Sequence, residues 1–270
     1  MKKLGLALAI VAAFTGSAVA ADMAPRAYSK APALMMAPSW TGLWVSGGFG
    51  FGMMEYNTSV TSVAGTTVFD SGHDTGGKGW LGKVGLGYDH QFIGNFVIGA
   101  FADAQWSDIK GQNSFTCPGI CSGPTQGYSG QIKNDWSWSV GGRVGYVALP
   151  GLLTYFNGGF TQANFERANY VVASDGAPGG PVLDSRRMNG YFLGAGTEYA
   201  ITQLPGLFWK SEVRFSDFGS RTDSQRCLVS GTCGTAGTVH SLDRNHVYEQ
   251  AATTELVYRF NWGGPVVPAK

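Results

Sequence analysis

The 270-residue sequence is poor in charge and has no long apolar run. Only 14% of its residues are charged, and no stretch reaches the about 18 consecutive apolar residues that indicate a transmembrane helix. Its 41 glycines disfavour helices and show no collagen-like repeat. These absences exclude a helical membrane protein and leave strands and loops as the prediction.

The first residues have the composition of an export signal. Lys2 and Lys3 precede the apolar segment "LGLALAIVAAF", and the small residues Ala18 and Ala20 mark a cleavage site. We therefore predict a signal peptide over residues 1–20. Removing its two lysines from the 19 basic residues leaves 17 against 18 acidic ones, which argues against nucleic-acid binding.

Cysteine is scarce, with four residues that form two local pairs in the sequence. Cys117 and Cys121 frame "CPGIC", and Cys227 and Cys233 frame "CLVSGTC". In an exported chain an even number of cysteines favours disulfides, and two local bridges are the simplest of the three possible connectivities. The spacings are not C-x2-C, so we expect no metal and no cofactor.

Eight segments of alternating apolar and polar residues follow, each close to the roughly 9–11 residues that a tilted membrane strand needs. They are residues 42–52, 79–89, 95–106, 135–147, 152–163, 190–200, 207–218 and 248–262. The links after the second, fourth and sixth segments are short. The other links are long and polar, at residues 53–78, 107–134, 164–189 and 219–247. Short periplasmic turns and long extracellular loops are typical of outer-membrane barrels.

The predicted fold is therefore all-β, an eight-stranded antiparallel up-and-down transmembrane barrel over residues 40–262. A flexible Ala/Pro-rich periplasmic tail over residues 21–39 precedes it, and an extension over residues 263–270 follows. We place the chain in the outer membrane of a Gram-negative cell, with its loops extracellular and its turns and termini periplasmic.

Tryptophan positions agree with two membrane interfaces. Seven tryptophans fall near predicted strand ends and form the expected aromatic girdles: Trp40, Trp209 and Trp262 on the periplasmic side, and Trp80, Trp106, Trp136 and Trp138 on the outer side. The parity of Trp44 points its side chain inward, where it is expected to plug the base of the barrel.

The two faces of the predicted strands differ in charge. One face is apolar at mid-strand, and its only charge, Asp217, lies at the outer mouth. The other face carries Asp89 and nine residues predicted to form a charge network in the lumen: Lys83, Asp103, Arg143, Glu198, Lys210, Glu212, Arg214, Glu255 and Arg259. A lysine or arginine at the lipid midplane costs about 2–4 kcal/mol, so a bilayer selects for this segregation. A solvated face of a soluble sheet is the alternative.

An eight-stranded barrel has an interior just wide enough for side chains to fill. The expected ion pairs across it include Arg143 with Glu198, and the carboxylates of Glu212 and Glu255 with Lys210, Arg214 and Arg259. Pairing offsets the desolvation cost of several kcal/mol per buried charge. The network is expected to plug the barrel.

Five segments resemble a known family, the alphaproteobacterial small outer-membrane porin-like immunogenic proteins within the wider OmpA/opacity-type barrels. They are "WTGLWVSGGFGFG", "VGGRVGYV", "GAGTEYA", "SEVRFSDFG" and "LVYRFNWGGPVVPAK", in that order over residues 40–270. The resemblance implies an eight-stranded barrel with surface-exposed loops and a structural or surface role without catalysis. The cysteine-bearing loops and the terminal "GGPVVPAK" depart from the family pattern.

Four functions follow as hypotheses. The leading one is a non-enzymatic outer-membrane protein that supports the envelope and presents surface loops. Its expected partners are membrane lipid, lipopolysaccharide and the barrel-assembly machinery, and no loop ligand is predicted. The second is a small-solute porin, with gaps beside Gly85, Gly141, Gly194 and Gly196 passing ions.

The third hypothesis is an outer-membrane hydrolase, which needs a Ser-His-acid constellation near the outer mouth. The predicted outer loops contain His73, His240 and His246, with Ser241 and Asp243 close in sequence. The fourth is an adhesin or ligand receptor that uses "SFTCPGICSGPTQGYSG", for which a shielding polar loop is the alternative.

Overall fold

The structure, a computed structural model, describes residues 39–65, 67–92, 95–117, 126–178, 180–228, 230 and 234–260. Several predicted features lie outside these residues: the signal peptide with Ala18 and Ala20, the tail up to residue 38, Trp262 and the C-terminal extension. Among the described residues, no helix is both long and apolar enough to span a membrane.

Ten antiparallel strands make up the described chain. They are β1 Gly42–Thr61, β2 Val68–Gln91, β3 Phe96–Cys117, β4 Gln126–Leu149, β5 Leu152–Phe165, β6 Ala168–Val172, β7 Pro181–Leu183, β8 Arg186–Ala200, β9 Leu207–Cys227 and β10 Val239–Phe260.

Eight of these strands close into a ring. The order is β1, β2, β3, β4, β5, β8, β9 and β10, and β10 pairs with both β9 and β1. Following the paired residues once around from Tyr258 returns to β10 at Tyr248, so the strands are staggered as a tilted barrel requires. The predicted eight-stranded antiparallel barrel is confirmed.

The two short strands continue two strands of the ring. Phe165 pairs with Arg186 between β5 and β8, and Ala168 pairs with Leu183 between β6 and β7 in the same register. β6 pairs with β4, as β5 does, and β7 pairs with β9, as β8 does. The barrel wall therefore consists of eight strands along its whole described length. Two of these strands are interrupted, at Glu166–Arg167 and at Asp184–Ser185.

Three short links between strands lie at one end of the barrel, which we name the turn end. Two of them, residues 150–151 and 201–206, belong to the described residues, and the ends of β2 at Gln91 and of β3 at Phe96 lie at the same end. Gly151 and Gly206 have positive φ values of 86° and 85°, a conformation that glycine adopts without steric cost.

The opposite end, which we name the extended end, differs from the prediction. The four links expected to be long polar loops are mostly paired strand, so that β1 continues to Thr61 and β2 begins at Val68. In this part many of the inward residues are apolar, such as Met54 and Tyr56, and outward ones such as Asn57 are polar. The polarity that suggested loops is the solvated face of a sheet.

The segment proposed as an adhesive loop shows the same correction. Its ends, residues 114–117 and 126–130, belong to β3 and β4 and pair with each other. Its centre, residues 118–125, lies outside the described residues.

Candidate functional site

The barrel interior is the candidate site, and its first group of charges lies nearest the turn end. Arg143 donates from Nε to Asp89 Oδ1 at 2.9 Å and from Nη1 to Glu198 Oε2 at 3.1 Å. Arg259 donates to the same two carboxylates, at 2.6 Å to Asp89 and 2.5 Å to Glu198. All four side chains are buried, and two positive charges face two negative ones.

A second group of three cations and three carboxylates lies next along the lumen. Its side chains are at most 8% exposed, and its contacts are 2.8 Å for Lys83–Glu212, 3.1 Å for Lys210–Glu255 and 2.7 Å for Arg214–Asp103. Tyr155 and Asn157 donate further hydrogen bonds to Glu212, at 2.9 and 2.7 Å. The group is electrically balanced, as buried charges must be to offset desolvation.

The structure thus brings together all nine residues of the predicted lumen network, but the partners of Arg259 differ from the expected ones. Arg259 was expected to pair with Glu212 or Glu255, and it instead contacts Asp89 and Glu198. The stagger between strands, which alternation along one strand does not reveal, decides which charges meet. Asp89, which the sequence analysis left out of the network, is the acid shared by both arginines of the first group.

Aromatic rings fill the space around these charges. The guanidinium of Arg143 lies 4.7 Å from the ring of Trp44, and that of Arg214 lies 4.1 Å from the ring of Phe192. Stacking of guanidinium on aromatic faces adds cation–π attraction to the ion pairs. Trp44 is 2% exposed, inside the barrel, where its parity placed it.

Trp40 was predicted to belong to the periplasmic girdle, and this is wrong. It is 1% exposed, packs on Phe208 and accepts a hydrogen bond at its carbonyl from Arg259 at 2.9 Å. Trp40 precedes β1, so strand parity does not govern its direction, and the chain turns its ring inward to cover the first charge group.

The other described girdle tryptophans lie on the outside of the barrel. Trp80, Trp106 and Trp209 are exposed, and Trp136 and Trp138 are half-buried. Trp209 lies near the turn end, and the other four lie where the apolar outer surface gives way to the extended end. Between these levels the outward side chains are apolar, for example Leu86, Phe156 and Leu193.

A second, apolar filling occupies the extended end, and the sequence analysis missed it. We name it the upper core; its largest fully buried members are Tyr56, Ile109, Tyr128, Ile132, Phe165 and Leu183. These residues come from segments read as loops. The signal that could have revealed them is alternation with the opposite sign, apolar inward and polar outward.

Polar groups also lie within the extended end. The carboxylate of Asp243 accepts a hydrogen bond from Gln225 at 3.0 Å, and burial raises the pKa of this carboxyl. His240 contacts the rings of Phe115 and Tyr128, and its partial burial lowers the pKa of the imidazole. Burial therefore favours the protonated, neutral carboxyl of Asp243 and the neutral imidazole of His240.

The gaps suggested for ion passage are occupied. A methyl group built on each of the four interior glycines would collide with a neighbouring side chain: Ser46 at Gly85, Phe192 at Gly141, Asn157 at Gly194 and Tyr155 at Gly196. The space beside each of these glycines is therefore occupied by a neighbouring side chain and not by water.

Two of the residues named for a hydrolase contact each other: His240 Nδ1 lies 3.0 Å from Ser241 Oγ, whose hydroxyl donates to Gln225 Oε1 at 2.8 Å. Ser241 and Asp243 are buried inside the barrel, and nothing is described of the side chain of His73. His246 faces outward on β10 and contacts two residues of β9 that the sequence analysis did not consider together. Its Nε2 lies 2.8 Å from Asp217 Oδ1, and its Nδ1 lies 3.1 Å from Ser220 Oγ.

Only one cysteine of each predicted disulfide belongs to the described residues. Cys227 is fully buried and disulfide-bonded, and Cys117 ends β3. Cys121 and Cys233 lie outside the described residues, so the pairing of Cys117 with Cys121 and of Cys227 with Cys233 stays a prediction.

Comparison with known proteins finds relatives in the genus Brucella. The chain is 31% identical over 226 residues to the 31 kDa outer-membrane immunogenic protein of Brucella melitensis and to that of Brucella suis. The match covers 82% of this chain and 89% of each relative. No family model matches the chain.

Solved structures are more distant. Neisserial surface protein A has a TM-score of 0.34 at 11% identity, over 80% of this chain and 99% of that one. The outer membrane protease OmpT of Escherichia coli has a TM-score of 0.43 at 11% identity, over 80% and 97% of the two chains. Similarity at this level does not extend to function.

Proposed function

This chain belongs to the family of the 31 kDa outer-membrane immunogenic proteins, and from that premise we propose that it is a sealed barrel with a structural and surface role. It is an outer-membrane protein. The proposed role is to strengthen the envelope as a stable, closed cylinder and to present the extended end outside the cell. Such a role requires no catalytic chemistry.

The observation that carries the proposal is the double filling of the lumen. The balanced charges around Arg143 and Glu212 fill the membrane-spanning part, and the upper core fills the part beyond it. The side chains of both layers are buried. An ion would have to displace a paired charge and then pass the packed side chains of the upper core.

The porin alternative has little support by comparison. It rested on polar gaps beside interior glycines, and the side chains of Ser46, Phe192, Asn157 and Tyr155 occupy those gaps. Eight-stranded barrels also have interiors that side chains fill, whereas water-filled porins use more strands.

The orientation follows from the outer surface. The apolar belt between Trp209 and Trp106 has the character of a lipid-facing band, and the strands beyond Trp106 have polar outward residues. We place the turn end in the periplasm and the extended end outside the cell. Membrane lipid and lipopolysaccharide would then contact the belt, and the barrel-assembly machinery would insert it.

Single-channel recording in planar bilayers tests the proposal. The folded protein should insert without producing conductance steps, while a porin measured in parallel produces them. Because two layers close the lumen, truncating one charge of the first layer, as in Arg143→Ala, should also leave the membrane non-conducting. Steady conductance of the native chain would refute the sealed barrel.

A further inference from the structure

An outward-facing hydrogen-bonded chain joins Ser220, His246 and Asp217 at the border of the apolar belt. Ser220 Oγ lies 3.1 Å from His246 Nδ1, and His246 Nε2 lies 2.8 Å from Asp217 Oδ1. With the imidazole proton on Nε2 directed at the carboxylate, Nδ1 is free to accept the proton of the serine hydroxyl. A hydroxyl, an imidazole and a carboxylate in this order are the parts of an activated nucleophile.

A β-bulge places the three side chains on one face. Asp217 and Ser220 are three positions apart on β9, so an unbroken strand would direct them to opposite faces. The register shifts between His246 and Tyr248, and Gly219 has a φ of 65° within that shift. The extra residue brings Ser220 opposite His246 on the outer surface. Bulges are over-represented beside active sites because they re-aim side chains.

The carboxylate and the ring are held in place by their neighbours. The backbone N–H of Gly219 donates to Asp217 Oδ1 at 2.7 Å. The ring of His246 stacks on Tyr248 at 4.4 Å, with 22° between the planes. Ser220 is exposed, so its hydroxyl is accessible from outside the barrel.

The surroundings indicate the substrate. Toward the membrane, the outward residues next to Asp217 are aromatic or aliphatic, with Tyr191 and Leu193 more than 70% exposed and Phe215 beside them. An acyl chain can lie on this surface while its ester group meets Ser220 at the polar border. We propose that Ser220, His246 and Asp217 form a serine-hydrolase site that cleaves acyl esters of outer-leaflet lipids.

The reaction needs no co-reactant besides water. Ser220 Oγ forms a bond to the ester carbonyl carbon while its proton passes to His246 Nδ1. The ester C–O bond breaks, and the leaving alkoxide takes that proton. Water then attacks the acyl-serine with His246 again accepting a proton, and the fatty acid leaves as Ser220 regains its hydrogen. Asp217 acts as a positioning residue that holds the tautomer.

A fluorophosphonate probe on the folded full-length chain in micelles tests the nucleophile. Native protein should be labelled at Ser220, and Ser220→Ala should lose the label. His246→Gln should slow labelling about a hundredfold, the loss expected when a general base is removed. Asp217→Asn should slow it as well, and Asp217→Glu, which keeps a carboxylate, should restore part of the rate. Heat-modifiable gel mobility verifies that each variant is folded.

Ser211→Ala is the matched control, because Ser211 is an outward, exposed serine of the same strand and should not affect labelling. Absence of label on the folded native chain, label that persists in Ser220→Ala, or an unchanged rate in His246→Gln would each overturn the proposal.

Two further assays identify the lipid substrate. Fatty-acid release is measured from glycerophospholipid vesicles and from lipopolysaccharide, each with native protein and Ser220→Ala. Release from either one assigns the substrate, and release from neither overturns the lipid-ester assignment. The inference rests on the proposed orientation for the source of its substrate. It is independent of the sealed lumen, since conductance and labelling can each fail without the other.

Discussion

Arg143 shows how a single charge is accommodated inside this barrel. Its guanidinium contacts Asp89 and Glu198, and the rings of Trp44 and Tyr155 cover its faces at 4.7 and 5.0 Å. Removing one partner of a buried ion pair costs more than the pair itself contributes, because the charge left behind is desolvated and unpaired.

Replacing Arg143 with leucine should therefore destabilise the barrel by about 3–5 kcal/mol, since Asp89 and Glu198 would share only Arg259. The folded fraction is measured by heat-modifiable gel mobility across a temperature or urea series. Arg244→Leu is the matched control, because Arg244 is an exposed outward residue of β10, and it should change stability little. Equal transitions for Arg143→Leu and the native protein would contradict the pairing.

At the scale of elements, each strand changes character along its length. In β1 the membrane-spanning part has apolar outward residues such as Phe49, and the part beyond the belt has apolar inward residues such as Tyr56. The solvent outside the cylinder changes from lipid to water, and the pattern inverts with it. The strand stays continuous because its backbone hydrogen bonds do not depend on which face is apolar.

This inversion explains what the sequence could and could not predict. The spanning segments were found because apolar residues recur at every second position with charges between them, as around Leu256 and Arg259. The upper strands resemble polar loops in sequence because their alternation is the reverse of the membrane type, with many apolar residues inward and polar residues outward. Trp40 was misplaced because it precedes the first strand, and the partners of Arg259 depend on a stagger that parity does not encode.

The contact of Ser220 with His246 was missed for a related reason. It depends on the bulge at Gly219, and the sequence does not show which glycine of a glycine-rich chain adopts a positive φ. Strand parity alone would have directed Ser220 into the lumen.

Gly219→Ala tests that bulge at the element scale. The φ of 65° is unfavourable for alanine by about 1–2 kcal/mol, although no atom lies within 4 Å of the added methyl group. Unfolding in urea should show this loss, and Gly47→Ala, equally uncrowded but without a positive φ, serves as the control. Equal stability of the two variants would mean that the bulge is not strained by a side chain.

At the scale of the whole molecule, the barrel has two kinds of outer surface and a lumen filled with side chains. Apolar side chains such as Leu193 and Leu256 face outward in the belt, polar side chains face outward at the extended end, and the lumen holds balanced charges below the upper core. Family membership places this cylinder in the outer membrane. In the proposed function, a sealed interior is what distinguishes this barrel from a channel.

Methyl NMR of the folded native protein in lipid nanodiscs tests this arrangement most directly. Cross-relaxation with lipid acyl chains should reach the outward methyl groups of Leu193, Leu256 and Val144. It should not reach the inward methyl groups of Leu153 and Val257, which should also be protected from a water-soluble paramagnetic reagent. Acyl-chain contacts at Leu153 or Val257, or strong broadening of their signals by the reagent, would contradict the sealed barrel.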